Sequence, residues 1–281
     1  MIYVLLSVLC SVLVSVLLKL AKRFDVDVGQ AVAWNYVVAG VLALLTLHPS
    51  LAPLRQPGVP WPALAGLGVL LPTIFLALGA SVRHAGIVRS DAAQRLSLLI
   101  SLLAAFVLFH ERLDAMKVAG CVLGVLAMAG MVWRADGGGA ATGAARCLYP
   151  LLVFGGFGAI DILFKRVAAA GIPLGTSLLA MFALSLLVAF AIAWAQRTRF
   201  TARSLVGGVL LGLCNYGNIL FYLRAHRALP HDPARVFASM NLGVVALGAL
   251  TGLLLFRERL SRLNLAALGF ALVAVGLLTH G

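Results

Sequence analysis

Long runs of apolar residues, separated by short polar segments, follow one another along the whole chain. A helix that spans a bilayer needs about 20 mostly apolar residues, because it must cross roughly 30 Å of hydrocarbon. The runs are continuous rather than alternating, which indicates helices and not a membrane barrel. We predict ten spanning helices, approximately over residues 2–20, 28–47, 61–82, 90–109, 115–133, 148–167, 174–195, 204–222, 235–256 and 263–279.

Composition supports the same class of protein. Apolar residues make up 62% and charged residues 11% of the 281 positions, whereas a soluble domain carries about a quarter charged residues. The net charge of +13 comes from Lys and Arg residues spread between the apolar runs. Basic residues in such places anchor helices at the membrane surface, so we expect no nucleic-acid partner.

Two segments of the chain resemble each other. The sequence FHERL around Glu111 and the sequence FRERL around Glu258 each precede a helix rich in small residues. The two glutamates are 147 residues apart, and the same offset, within one residue, aligns Lys19 with Lys165. The chain therefore contains an internal repeat.

This repeat predicts an all-α integral membrane fold of ten transmembrane helices in two five-helix halves. The first half covers residues 1–134, a Gly-rich linker covers 135–146 and the second half covers 147–281. Because five is odd, the two halves have inverted topology. Inverted repeats are typical of secondary transporters, in which exchange between two conformations opens a central site to alternate sides of the membrane.

The E-R-L motif followed by a small-residue-rich helix, present once per half, resembles the EamA family of the drug/metabolite transporter superfamily. The resemblance covers nearly the whole chain, although family members often carry a proline where this chain has Leu98 and Val245. It implies a secondary transporter for small metabolites, such as amino acids or related solutes, with a coupled proton or cation. It also implies that helices 5 and 10 pack at the periphery. The spacing of Gly120 and Gly124 favours such close packing in helix 5.

The resemblance also implies a multi-pass protein of the cell (inner) membrane with both termini in the cytoplasm. The distribution of Lys and Arg between the loops gives the opposite orientation under the positive-inside rule. Because several of these basic residues fall within helix ends, we follow the resemblance. The expected partners are a small-molecule substrate and membrane lipid, and the protein is expected to be a monomer or a homodimer.

The fourth predicted helix begins with a polar stretch, SDAAQRLS. Asp91 and Arg95 are four residues apart and can form an ion pair. Gln94 corresponds to Asn241 in the second half, which suggests two amide groups facing a central cavity. We predict that these four residues and Ser97 bind substrate. The alternative for Asp91 and Arg95 is an ion pair at the membrane interface.

Two further helices carry polar groups that need a partner or a wet cavity inside the membrane. Asn215, Asn218 and Tyr222 share one face of helix 8, and we predict that they line the substrate pathway. Asp161 and Lys165 lie one turn apart in helix 6. Either they form an ion pair that neutralises both charges, or Asp161 couples transport to a proton or cation.

Other polar residues are interpreted as structural. Ser7, Ser11, Ser15 and Lys19 recur every four residues on one face of helix 1; close helix packing is the favoured interpretation, and a place in the polar site is the alternative. Glu111 and Glu258 lie at helix junctions, directly before an arginine.

Secondary transport is thus the leading function. A flippase for an amphipathic lipid carrier is the alternative, and polar helix faces turned towards lipid would favour it. A membrane-embedded enzyme is a third class, but the sequence contains none of the motifs D-D-x-x-D, H-E-x-x-H and G-x-S-x-G. We expect no enzyme activity, no metal site and no cofactor.

Overall fold

The computed structural model describes residues 1–97, 99–100, 103–104, 115–133, 143–198, 200–228, 233–258 and 261–280. These residues are largely helical. The helices are α1 (Ile2–Leu20), α2 (Val28–Leu47), α3 (Trp61–His84), α4 (Ile87–Leu96), α5 (Ala115–Trp133), α6 (Gly143–Ala169), α7 (Leu174–Ala195), α8 (Ala202–Ala228), α9 (Pro233–Leu250) and α10 (Arg262–His280). Short 3-10 helices cover Ala21–Phe24 and Ala52–Arg55, and a π-helical turn, Thr251–Leu255, continues α9.

The helices have the length and composition of membrane spans. Six of them, α1, α2, α3, α6, α7 and α8, are long and apolar enough to cross a bilayer. Shorter apolar stretches lie in α5, in α10, and from α9 into the π-helical turn. The predicted bounds of α1, α2, α5 and α7 are confirmed to the residue. The protein is therefore a multi-pass helical membrane protein, while the count of ten spans and the inverted topology remain predictions.

The fourth helix differs most from its prediction. The apolar run predicts a span over residues 90–109, but α4 begins at Ile87, and residues 98, 101–102 and 105–109 of the predicted span lie outside the described residues. The earlier start has a physical reason outside the local sequence. A carboxylate from far along the chain, that of Glu258, accepts hydrogen bonds from the first backbone N–H groups of α4.

Contacts divide the chain into two compact units. Unit 1 contains residues 1–19, 77–158 and 217–281, and unit 2 contains residues 20–76 and 159–216. Each unit thus contains residues from both predicted halves of the sequence.

Small residues allow close helix packing in unit 1. Here α5 packs along α10, and α4 packs against α9. A Cβ atom added to Gly124 would lie 2.7 Å from Cδ1 of Leu99, and one added to Gly130 would lie 3.0 Å from Cβ of Ala267. The predicted packing role of the small residues in α5 is therefore confirmed at Gly124. In addition, the side-chain amide of Asn264 in α10 donates to the carbonyl oxygen of Gly130, over 3.1 Å.

Aromatic contacts and a glycine hold the helices of unit 2 together. Helix α2 packs against α7, where the ring centroids of Trp34 and Phe190 lie 5.7 Å apart and those of Tyr36 and Phe182 lie 6.2 Å apart. Helix α8 approaches α2 closely at Gly208, where an added Cβ would lie 2.5 Å from Cβ of Trp34.

Candidate functional site

Helix α1 turns its serines inwards and its leucines outwards. Ser7, Ser11 and Ser15 are 0%, 9% and 2% exposed, respectively, whereas Leu5 and Leu9 on other faces are 65% and 47% exposed. Each serine hydroxyl bonds a different polar residue that the sequence proposes for the site. These three serines therefore form specific hydrogen bonds, in addition to permitting close packing.

Arg95 connects three helices of unit 1. Its Nη2 atom donates to the hydroxyl of Ser11 in α1 over 2.9 Å, and its Nη1 atom donates to Oδ1 of Asn241 in α9 over 3.2 Å. These two hydrogen bonds fix the orientation of the guanidinium group. The side chain is half-buried. A held cation of this geometry can recognise a carboxylate.

Asp91 lies one turn before Arg95 and is only 2% exposed. Its Oδ1 atom accepts a hydrogen bond from the Ser15 hydroxyl over 2.7 Å. The ion pair that the spacing of Asp91 and Arg95 allows is not formed: the carboxylate accepts from Ser15, while the guanidinium donates to Ser11 and Asn241. The i, i+4 spacing brings the charges near each other, but the hydrogen bonds of Asp91 Oδ1 and of the two Arg95 Nη atoms go to residues on other helices.

Three further residues are predicted to bind substrate, namely Gln94, Ser97 and Asn241. Ser97 is buried, and its hydroxyl donates to the backbone carbonyl of Gln94 over 2.6 Å. Gln94 is half-buried, and Asn241 is 5% exposed with its Oδ1 atom bound by Arg95. Within unit 1, Asn241 is thus in contact with Arg95. That Gln94 and Asn241 face each other across a cavity remains a prediction.

The predicted polar face of α8 is divided between the two units. Asn218 belongs to unit 1, and its Oδ1 atom accepts from the Ser7 hydroxyl over 2.7 Å. Tyr222, also in unit 1, packs against a valine-rich cluster of α1 and α9. Asn215 belongs to unit 2, where its amide nitrogen donates to Oδ1 of Asn35 over 3.1 Å. The three residues therefore have different surroundings, and their role in a substrate pathway remains a prediction.

Asp161 lies in unit 2, whereas Asp91 lies in unit 1. Asp161 is half-buried in α6, and Lys165, one turn later, is exposed. Asp161 is therefore the more accessible of these two carboxylates. The role of Asp161 in ion coupling remains a prediction.

Glu258 caps the N-terminus of α4. Its Oε1 atom accepts from the backbone N–H of Ile87 over 2.7 Å, and its Oε2 atom accepts from that of Val88 over 3.3 Å. Lys19 binds the same carboxylate over 3.3 Å and the carbonyl oxygen of Val82 over 3.0 Å. The structural interpretation of Glu258 is confirmed by these contacts. Its counterpart in the repeat, Glu111, lies outside the described residues.

We expect Glu258→Ala to destabilise the protein. The substitution removes the cap from α4, which typically costs about 0.5 to 2 kcal/mol, and takes the carboxylate partner from Lys19. The measurement is the thermal unfolding midpoint of the purified protein in detergent. Arg203→Ala is a matched control, because the Asp25–Arg203 ion pair has side chains that are 82% and 72% exposed and should contribute little. Equal midpoints for the two variants would contradict the capping role.

Ser11 and Ser15 are site residues for which the sequence favours a packing role over a place in the site. A signal for them was present in the sequence. They lie on the same face of α1 as Lys19, and the predicted residues Asp91 and Arg95 required polar partners inside the membrane. A row of serines in a chain that carries charged residues inside its predicted spans is therefore better interpreted as a set of hydrogen-bonding partners.

Buried polar contacts between apolar, membrane-length helices define the class of this protein as a multi-pass membrane protein with an internal polar site. The family model named "EamA-like transporter family" matches residues 1–133. The chain belongs to this family of transporters, which is part of the drug/metabolite transporter superfamily.

Two similar proteins extend the comparison over nearly the full length of the chain. An uncharacterized protein of Haemophilus influenzae is 40% identical over 274 residues, which cover 96% of this chain and 94% of that protein. A crystal structure of another protein is similar over 98% of this chain and 95% of that chain, with a TM-score of 0.57 and 18% identity. The second comparison shows a shared fold, and neither one names a substrate.

Proposed function

We propose that this protein is a secondary transporter that moves a small organic metabolite, such as an amino acid or related solute, across the inner membrane by alternating access. The proposed architecture is the pair of inverted five-helix repeats, with the termini in the cytoplasm. Membership of a transporter family supports the general class. The bonding of Arg95 in unit 1 supports the chemical class of the solute.

The hydrogen bonding of Arg95 is the observation that most strongly supports this proposal. A charge in the centre of a membrane costs about 2.5 to 3.5 kcal/mol on insertion scales, so charged residues there commonly mark substrate or ion pathways. The two neutral oxygens that Arg95 binds come from different helices, α1 and α9. These bonds hold a cation in place, and a planar guanidinium suits a carboxylate. A solute that carries a carboxylate is therefore the preferred substrate.

The exposure pattern of α1 weighs against a lipid flippase. That alternative needs polar helix faces turned towards lipid, whereas α1 buries Ser7, Ser11 and Ser15 and exposes Leu5 and Leu9. A solute that is enclosed by the protein agrees better with this arrangement.

A thermal-shift screen of the purified protein tests the proposal. The compounds are amino acids, the amines that correspond to them without the carboxylate, and small carboxylic acids. A ligand that binds the folded state at about 100 times its Kd stabilises it by about 2.7 kcal/mol, so we expect at least one carboxylate-bearing compound to raise the unfolding midpoint. The matching amine should not do so. Stabilisation by the amines alone, or by no compound, would contradict the proposed substrate class.

A further inference from the structure

The two carboxylate oxygens of Asp91 have different surroundings. Oδ1 accepts the hydrogen bond of Ser15, whereas Oδ2 is buried and has no hydrogen-bond partner within the described part of the chain. The Oδ2 atom lies against the backbone of Gly248 in α9, so closely that a Cβ atom at Gly248 would overlap it. Half of this carboxyl group is thus enclosed against a glycine.

The charged groups that act on Asp91 have partners of their own. They are the guanidinium of Arg95, on the same helix, and the carboxylate of Glu258, after α9. Arg95 donates to Ser11 and Asn241, and Glu258 binds Lys19 and the N-terminus of α4. Asp91 forms no direct ion pair within the described part of the chain, and burial disfavours a charged carboxylate, so a proton or a bound cation would stabilise this group.

The residues around Oδ2 favour a proton over a metal cation. A metal cation needs several ligands around it, whereas the described part of the chain contains no group of three or more His, Cys, Asp or Glu side chains that could hold one. A proton needs no such set of ligands.

We propose that Asp91, rather than Asp161, is the residue at which this protein binds and releases the coupled proton. A hydronium ion gives its proton to Oδ2 and becomes water, which converts the carboxylate to a neutral carboxylic acid, and release reverses this step. The Ser15 hydroxyl holds Oδ1, so that the proton binds at the other oxygen. The proposal deepens the transport function proposed above, and its link to solute movement rests on that function.

Infrared difference spectroscopy on the substrate-free protein in lipid nanodiscs tests the proposal. We expect a carboxylic acid C=O band that appears and disappears as pH is varied. Asp91→Asn should remove the band, and the matched control Asp161→Asn should retain it. Retention of the band in Asp91→Asn, or its loss in Asp161→Asn, would overturn the assignment.

A second variant keeps the proposal testable if Asp91→Asn fails to fold. Ser15→Ala removes the hydrogen bond to Oδ1, so it should shift the frequency of the band, and an unchanged frequency would contradict the proposal. Neither measurement needs a substrate. A band that behaves as expected in a protein that moves no solute would refute only the transport function, whereas solute transport with a band insensitive to Asp91→Asn would refute only the proton site.

Discussion

Replacing Arg95 with alanine is expected to reduce solute transport by about tenfold to a hundredfold. Hydrogen bonds to charged groups contribute about 1.5 to 3 kcal/mol, and about 1.4 kcal/mol corresponds to a factor of ten in binding. The substitution removes the cation proposed to bind the solute, together with its contacts to Ser11 and Asn241. The measurement is initial-rate uptake into proteoliposomes of a compound that stabilises the wild-type protein.

Two further variants test whether the positive charge alone is sufficient and whether removal of any arginine lowers the transport rate. Arg95→Lys keeps a positive charge but cannot present the same planar group to both Ser11 and Asn241, so it should recover only a minor part of the rate. Arg203→Ala removes an arginine whose side chain is 72% exposed, and it should transport as the wild type does. Normal uptake by Arg95→Ala, with the protein inserted and folded, would show that Arg95 is not part of the site.

Replacing Gly208 with alanine is expected to lower the stability of the protein markedly. The added methyl group would lie 2.5 Å from Cβ of Trp34 and 2.8 Å from the carbonyl oxygen of Ala31. Overpacking of this kind typically costs about 1 to 3 kcal/mol, and a clash with backbone relaxes less readily than one with a side chain. The measurement is the thermal unfolding midpoint in detergent.

Gly155→Ala provides the matched control for this change. Gly155 also lies in a helix, α6, but a Cβ atom there meets nothing within 4 Å. Because alanine favours helix over glycine by about 0.8 to 1 kcal/mol, this variant should be as stable as the wild type or more stable. A midpoint for Gly208→Ala equal to that of Gly155→Ala would contradict the close contact between α2 and α8.

The sequence predicts helix ends well where local signals fix them. Helix α2 begins at Val28 because Asp27 caps it, with Oδ1 of Asp27 accepting from the backbone N–H of Gln30 over 2.8 Å. Helix α4 begins at Ile87 with Gly86 before it, and its cap comes from Glu258, which is 171 residues from Ile87 along the chain. No local pattern can indicate such a cap.

In the candidate site, too, the sequence predicts what depends on local spacing and not what depends on contacts between helices. Helical periodicity correctly places Ser7, Ser11 and Ser15 on one face, because the spacing alone determines which side chains share a face. It cannot determine that Arg95 binds Asn241 or that Asp91 binds Ser15, because those choices depend on how three helices pack. The local i, i+4 rule therefore favoured an ion pair that tertiary contacts replace.

Solute counterflow tests the proposed function most directly. Proteoliposomes are loaded with an unlabelled compound that stabilises the protein, and the labelled form is added outside without an ion gradient. We predict transient accumulation of label with the wild-type protein and with Arg203→Ala, and an initial rate of accumulation about tenfold to a hundredfold lower with Arg95→Ala. The absence of counterflow for every stabilising compound, or equal counterflow with Arg95→Ala, would contradict transport through a site that contains Arg95.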